Sequence, residues 1–142
     1  MKRQFWSGIK NRLPELAVTL IMVAIIAACN TNPAGNGNSV KLYQMEAKSI
    51  LTQIYNMEQA YYQKHEMYWP NGANYTAVAS QRIEELQITI PPFAKYQYSI
   101  TGSCCTFTAY ATSTVLDVDA TVDSWTIHEN GQLIVTSDDA LD

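Results

Sequence analysis

Two cysteines stand side by side at Cys104 and Cys105, and three aspartates, Asp117, Asp119 and Asp123, follow within twenty residues. Adjacent thiols can stay free in a tight turn, close a vicinal disulfide, or bridge to another chain in an oxidising compartment. The vicinal bond is strained, because a disulfide wants Cα atoms roughly 4.4 to 6.8 Å apart and a near-perpendicular torsion that a trans peptide opposes. With no histidine nearby the pair is a poor zinc site. The alternate carboxylates of LDVDATVDSW can cage calcium, a hard cation that takes six to eight oxygens, although the spacing is not that of an EF-hand. A solvated acidic loop is the other reading of the same residues. His65 and His128 have no cysteine or acidic partner at ligand spacing, and no Gly-x-Ser-x-Gly elbow or other nucleophile signature occurs. Catalytic residues are therefore not expected, and calcium is the one cofactor left open.

Whatever these residues do, one long helix must organise the chain that carries them. In residues 40–65, VKLYQMEAKSILTQIYNMEQAYYQKH, apolar side chains recur at Tyr43, Ala47, Ile50, Ile54, Met57 and Tyr61. These alternating steps of four and three predict an α-helix of roughly 39 Å. Leu42, Leu51, Tyr55 and Tyr62 widen the apolar face, while Gln44, Lys48, Thr52, Asn56, Gln59 and Gln63 fill the opposite side. A stripe this wide suits a sheet better than a two-helix seam. Ser39 is placed to cap the helix, and Pro70 followed by Asn71-Gly72 ends the segment in a turn. The aromatics Tyr61, Tyr62, Tyr68, Trp69 and Tyr75 gather around that end. Most belong in a core, and Tyr68, Trp69 and Tyr75, in the loop, are the candidates for a partner surface.

Beyond the loop, Ser80 to Leu86 reads as a short second helix with Ser80 as its cap, closed off by Pro91-Pro92. The period then changes to two. Tyr96, Tyr98 and Ile100 make one half-buried strand, and Phe107, Ala109 and Ala111 a second. Trp125 and Ile127 begin a third, Glu129-Asn130-Gly131 turns the chain, and Leu133 to Thr136 returns as a fourth. The expected fold class is α+β, a long N-terminal helix packed on a four-stranded antiparallel sheet.

The chain has 142 residues, 47% hydrophobic and 15% charged, which fits one modest domain plus a targeting segment. Four of its nine basic residues, Lys2, Arg3, Lys10 and Arg12, precede residues 16–28, LAVTLIMVAIIAA. Thirteen residues, apolar apart from Thr19, fall short of the ~20 that span a bilayer, and a basic start, a short apolar run and small residues are the parts of a signal peptide. Residues 29–142 keep five basic against twelve acidic groups, a formal charge of −7. That excludes nucleic acid as an expected partner. Residues 29–39, dense in Asn, Gly and Pro, read as a flexible tether between the segment 1–28 and a globular domain at 40–142.

The apolar run ends in Ile26-Ala27-Ala28-Cys29, which resembles the lipobox of bacterial lipoproteins. The resemblance implies a lipid on Cys29, with acyl chains enough for stable anchoring, and Asn30 after the cysteine implies an outer-membrane or cell-surface location. The globular domain resembles a type IV pilin, and most closely the small pseudopilins of type II secretion. EAKSILTQIYNMEQAYYQKHEMYW is similar to the family's helix and Tyr-rich loop, while KYQYSITG, TFTAYATS and SWTIHENGQLI are similar to its strands and closing hairpin. What this implies is a non-enzymatic structural protein of the cell envelope, whose partners are the membrane and other pilin-like or secretion subunits. The family also implies a calcium site near Asp117, Asp119 and Asp123. The N-terminus departs from the pilin pattern: Leu13-Pro14 stands where a cleavage motif belongs, and Gly8 is distant from Glu15. A lipid-anchored domain is thus the first expectation. A pilin or pseudopilin whose apolar segment forms the filament core is the second, and a ligand- or calcium-binding surface lipoprotein the third.

Overall fold

The long helix begins four residues earlier than its apolar period predicts. In the computed structural model, which describes residues 36–116 and 122–138, α1 runs from Asn36 to His65. Ser39 therefore lies inside the helix, and the end of the expected tether is helical. Extending a helix that packing already holds at Val40 is far easier than starting one. At the other end, Lys64 and His65 sit where the helix dipole favours cations. Glu66 then takes a left-handed φ of 57°, and its N–H donates to Tyr62 O at 2.8 Å. This left-handed cap ends the helix four residues before Pro70 is reached.

Among the described residues seven strands follow: β1 (Asn74–Ala77), β2 (Arg82–Ile83), β3 (Ile88–Thr89), β4 (Gln97–Gly102), β5 (Phe107–Ser113), β6 (Asp123–His128) and β7 (Leu133–Ser137). Five of them form one antiparallel sheet in the order β1-β4-β5-β6-β7. The expected meander of four is thus β4 to β7. The fifth strand, β1, comes from the segment expected to be loop and pairs Asn74 to Ala77 with Thr101 to Tyr98. The expected helix at 80–86 is instead the two-stranded ladder of β2 and β3. Arg82 pairs with Thr89 and Ile83 with Ile88, so the backbone is extended where the helix was expected, and Ser80 and Gln87 on either side have left-handed φ values of 66° and 55°. Ile83, Leu86, Ile88 and Ile90 all reach the core from this short hairpin.

One face of the sheet packs on α1 through β5 and β6. Its rows alternate large and small: Tyr98, Ala111 and Trp125 lie side by side, as do Ile100, Ala109 and Ile127. The alanines of the central strand leave room for the helix and for the bulky residues flanking them. On the helix the buried residues are Val40, Gln44, Ala47, Ile50, Leu51, Ile54 and Glu58. Tyr43, Met57 and Tyr61 border them, half-buried. The stripe is therefore turned from the one expected. Gln44, assigned to the polar side, is only 5% exposed, whereas Leu42, assigned to the apolar flank, is 44% exposed. Tyr62 is also exposed. Gln44 finds partners at Asp123 and Asp138, and Glu58 accepts from the Trp69 backbone through one oxygen, which outweighs apolar periodicity alone.

Glu129-Asn130-Gly131 forms the turn between β6 and β7 as expected, with Gly131 N–H donating to His128 O at 2.9 Å and Asn130 Oδ1 accepting from Gln132 N–H at 2.9 Å. Gly131 has φ +76°, and a Cβ there would sit 3.0 Å from Cζ of Tyr55. Gly131→Ala is expected to cost about 1 kcal/mol through left-handed backbone strain, read as a lower denaturant midpoint with an unchanged m-value.

Candidate functional site

The aromatic loop at residues 68–72 and the β4–β5 turn are built against each other. Tyr68 N–H donates to Ser103 O at 2.9 Å, and Gly72 N–H to Gly102 O at 2.9 Å. Gly102 is where the backbones meet most closely: a Cβ there would stand 2.5 Å from the carbonyl oxygen of Trp69. From beneath, Glu58 on α1 accepts from Trp69 N–H through Oε2 at 2.9 Å. The carboxyl is fully buried, and burial pushes its pKa up to about 7, with the Trp69 N–H pulling partly the other way.

Of the three aromatics expected to form a partner surface, Tyr68 belongs to the core. It is 6% exposed, stacked on Tyr62 at 4.6 Å between ring centres and tilted against Phe107 at 5.0 Å. Trp69 and Tyr75 pack against each other at 4.7 Å, half-buried. The accessible aromatic surface around this loop is therefore the pair, with Tyr62 beside it; Phe93 and Tyr110 are exposed elsewhere. Trp69 and Tyr75 are brought together because β1 carries Tyr75 back alongside β4.

A second polar group of residues ties the first half of α1 to the start of β6 and the end of β7. Gln44 Nε2 donates to Asp123 Oδ2 and, at 2.7 Å, to Asp138 Oδ1. Tyr96 faces Asp123 and Trp125, and burial together with the aspartate's charge pushes its phenol far up. Burial likewise pushes up the phenol of Tyr98, with the charge of Glu46 adding to it, and burial raises the Glu46 carboxyl. Lys48 Nζ lies 3.7 Å from the centre of the Trp125 ring.

Asp123 is thus a buried residue of β6 engaged by the helix, not the solvated loop carboxylate that the acidic spacing suggests. Asp117 and Asp119 lie outside the described residues. Among the described residues no three His, Cys, Asp or Glu side chains converge where a metal could be held. His65 stacks on Tyr61 at 4.2 Å, and His128 Nδ1 shares a hydrogen bond with Thr108 Oγ1 at 3.1 Å across β5 and β6. Cys104 and Cys105 occupy the exposed β4–β5 turn with their Sγ atoms 2.7 Å apart.

Sequence reasoning missed Glu58, Gly102 and the inward turn of Gln44. Glu58 had a visible signal, since it stands four residues after Ile54 and seven after Leu51 on the buried stripe. For Gly102 there was none, because a glycine ending a strand looks like any other.

Cys29, the apolar run at 16–28 and the segment 1–35 as a whole lie outside the described residues. No helix among the described residues is long and apolar enough to cross a membrane. No protein-family model, curated protein or solved structure matches this chain.

Proposed function

We propose that this chain is a non-enzymatic, pilin-like structural protein of the bacterial cell envelope, tethered by lipid on Cys29 and acting through protein–protein contacts. The reading is supported by one long helix laid by a single face on an antiparallel meander. The lipobox-like Ile26-Ala27-Ala28-Cys29 stands just ahead of that helix in the sequence. The half-buried Trp69 and Tyr75 offer the aromatic contact surface such a role needs. Export and an outer-membrane or surface location go with the same reading.

The intact mass of protein purified from membranes tests it, measured beside Cys29→Ser. The expected mass is that of residues 29–142 plus acyl chains, and the acyl increment should disappear in the variant. A wild-type mass that retains the apolar run, unaffected by the substitution, overturns lipidation.

A second reading keeps the fold and makes the N-terminal apolar segment the core of a filament, as in a pilin or pseudopilin. The early start of α1 at Asn36 favours it, because the helix takes up part of the residues that would otherwise form a flexible tether. Retention of residues 16–28 in the membrane form, together with filaments in the medium, is the outcome that reading requires.

A further inference from the structure

Two nucleophilic side chains outside the proposed contact surface stand together at the tip of the β4–β5 hairpin. Cys104 and Cys105 are both exposed, with sulfur atoms 2.7 Å apart. Their turn is braced from within. Ser103 N–H donates to Thr106 O at 2.9 Å, and Ser103 Oγ accepts from the N–H groups of Cys105 and Thr106 at 3.3 and 3.2 Å. It is also fastened from behind, where Ser103 O and Gly102 O accept from Tyr68 and Gly72. The thiols are held as neighbours on a fixed support and remain open to a reagent from solvent.

We propose that Cys104 and Cys105 form a reversible two-electron redox site, which closes to a vicinal disulfide by exchange with an organic disulfide and is reopened by thiols. One cysteine thiolate attacks a sulfur of the donor, forming a mixed disulfide and expelling one thiolate. The neighbouring cysteine, as thiolate, then attacks the protein sulfur of that bond, closing the ring and expelling the second thiolate. The two protons released by the cysteines pass to the two leaving thiolates. The pair loses two electrons, and the donor gains them as two thiols.

Three considerations favour this chemistry over a structural crosslink or a bridge between chains. The second attack is intramolecular, from a sulfur already in contact, so it outruns capture by another molecule's thiol. The two Cα atoms are joined by a trans peptide, which holds them about 3.8 Å apart, shorter than the roughly 4.4–6.8 Å of ordinary disulfides. The closed form is therefore strained, and strained, exposed disulfides are the labile ones. Finally, a loop with no residue between its ends removes little entropy from the unfolded chain, so closure does little for stability.

The protein, equilibrated with graded ratios of oxidised to reduced glutathione, acid-quenched, alkylated and digested, tests the proposal by peptide mass. The peptide carrying both cysteines is expected in two forms. One is doubly alkylated, and the other is unalkylated and lighter than the dithiol by two hydrogens. They should interchange with a single two-electron midpoint, at a ratio more oxidising than that of ordinary structural disulfides. Cys104→Ser and Cys105→Ser should each abolish the closed form while leaving circular dichroism unchanged. Double alkylation at every ratio overturns the proposal, as does a persistent mixed disulfide or a crosslink between chains through either residue.

Discussion

Glu58→Gln is expected to remove a pH dependence that costs the wild-type protein about 3 kcal/mol between mild acid and neutral pH. The carboxyl titrates at 4.5 in an ordinary setting and at about 7 in the folded protein, because burial disfavours its charge. The folded state thus holds the proton more tightly than the unfolded chain. The stability this contributes is complete below 4.5, falls by about 1.4 kcal/mol per pH unit above it, and is gone once the pH passes the folded value. Glutamine cannot ionise and keeps an oxygen for Trp69 N–H. Urea denaturation of both proteins should therefore give similar midpoints at about pH 4 and a more stable variant at about pH 8. The difference between the two isolates Glu58 from Glu46, whose raised carboxyl acts in the same direction. Glu58→Ala is expected to be less stable than Glu58→Gln at every pH, and less stable than wild type by about 2–4 kcal/mol in acid, since it leaves a cavity and an unmatched amide. A Glu58→Gln profile parallel to wild type would show that another group governs the pH response.

Gly102→Ala is expected to destabilise the protein by about 3 kcal/mol, the upper end of the usual range for overpacking. The added methyl would meet Trp69 O at 2.5 Å and Trp69 C at 2.7 Å. These are backbone atoms of a residue whose N–H is held by Glu58, so no side chain can swing away to make room. The loop at 68–72 has to lift from the end of β4, which weakens the Gly72 and Tyr68 hydrogen bonds to the turn. Amide exchange should show this locally, with the largest loss of protection at Tyr68, Trp69 and Gly72. A midpoint within about 0.5 kcal/mol of wild type, in the range of neutral surface changes, would mean that the loop has an alternative seat.

Both predictions concern one place, where helix, loop and hairpin tip meet, and that place was only partly legible. The helix, the four strands of the meander and the Asn130-Gly131 turn were each announced by local signals: a repeat of three and four, alternation by two, and a dipeptide that tolerates left-handed backbone. The strand at Asn74–Ala77 carried no such signal. Its NYTA is too short and too polar to alternate visibly, and it becomes a strand only because β4 presents a free edge. The hairpin at 82–89 was misread as a helix because Ser80 to Leu86 has a capping residue and good helix formers. What overrode them was the demand of the core for Ile83, Ile88 and Ile90 together.

The sequence by itself determined the long helix, the four strands of the meander, which sulfurs and carboxylates are available, and that the chain beyond residue 28 is acidic. Those properties depend on residue type and near-neighbour spacing. Only the tertiary structure decided which side of the helix faces inward, since a polar residue can be buried wherever another segment supplies its hydrogen-bond partner. Gln44 faces Asp123 across 79 positions of sequence, and Glu58 meets an amide made available by the loop that folds back over it. Pairings of that kind follow from how distant segments are brought together, and short-range spacing carries no record of them.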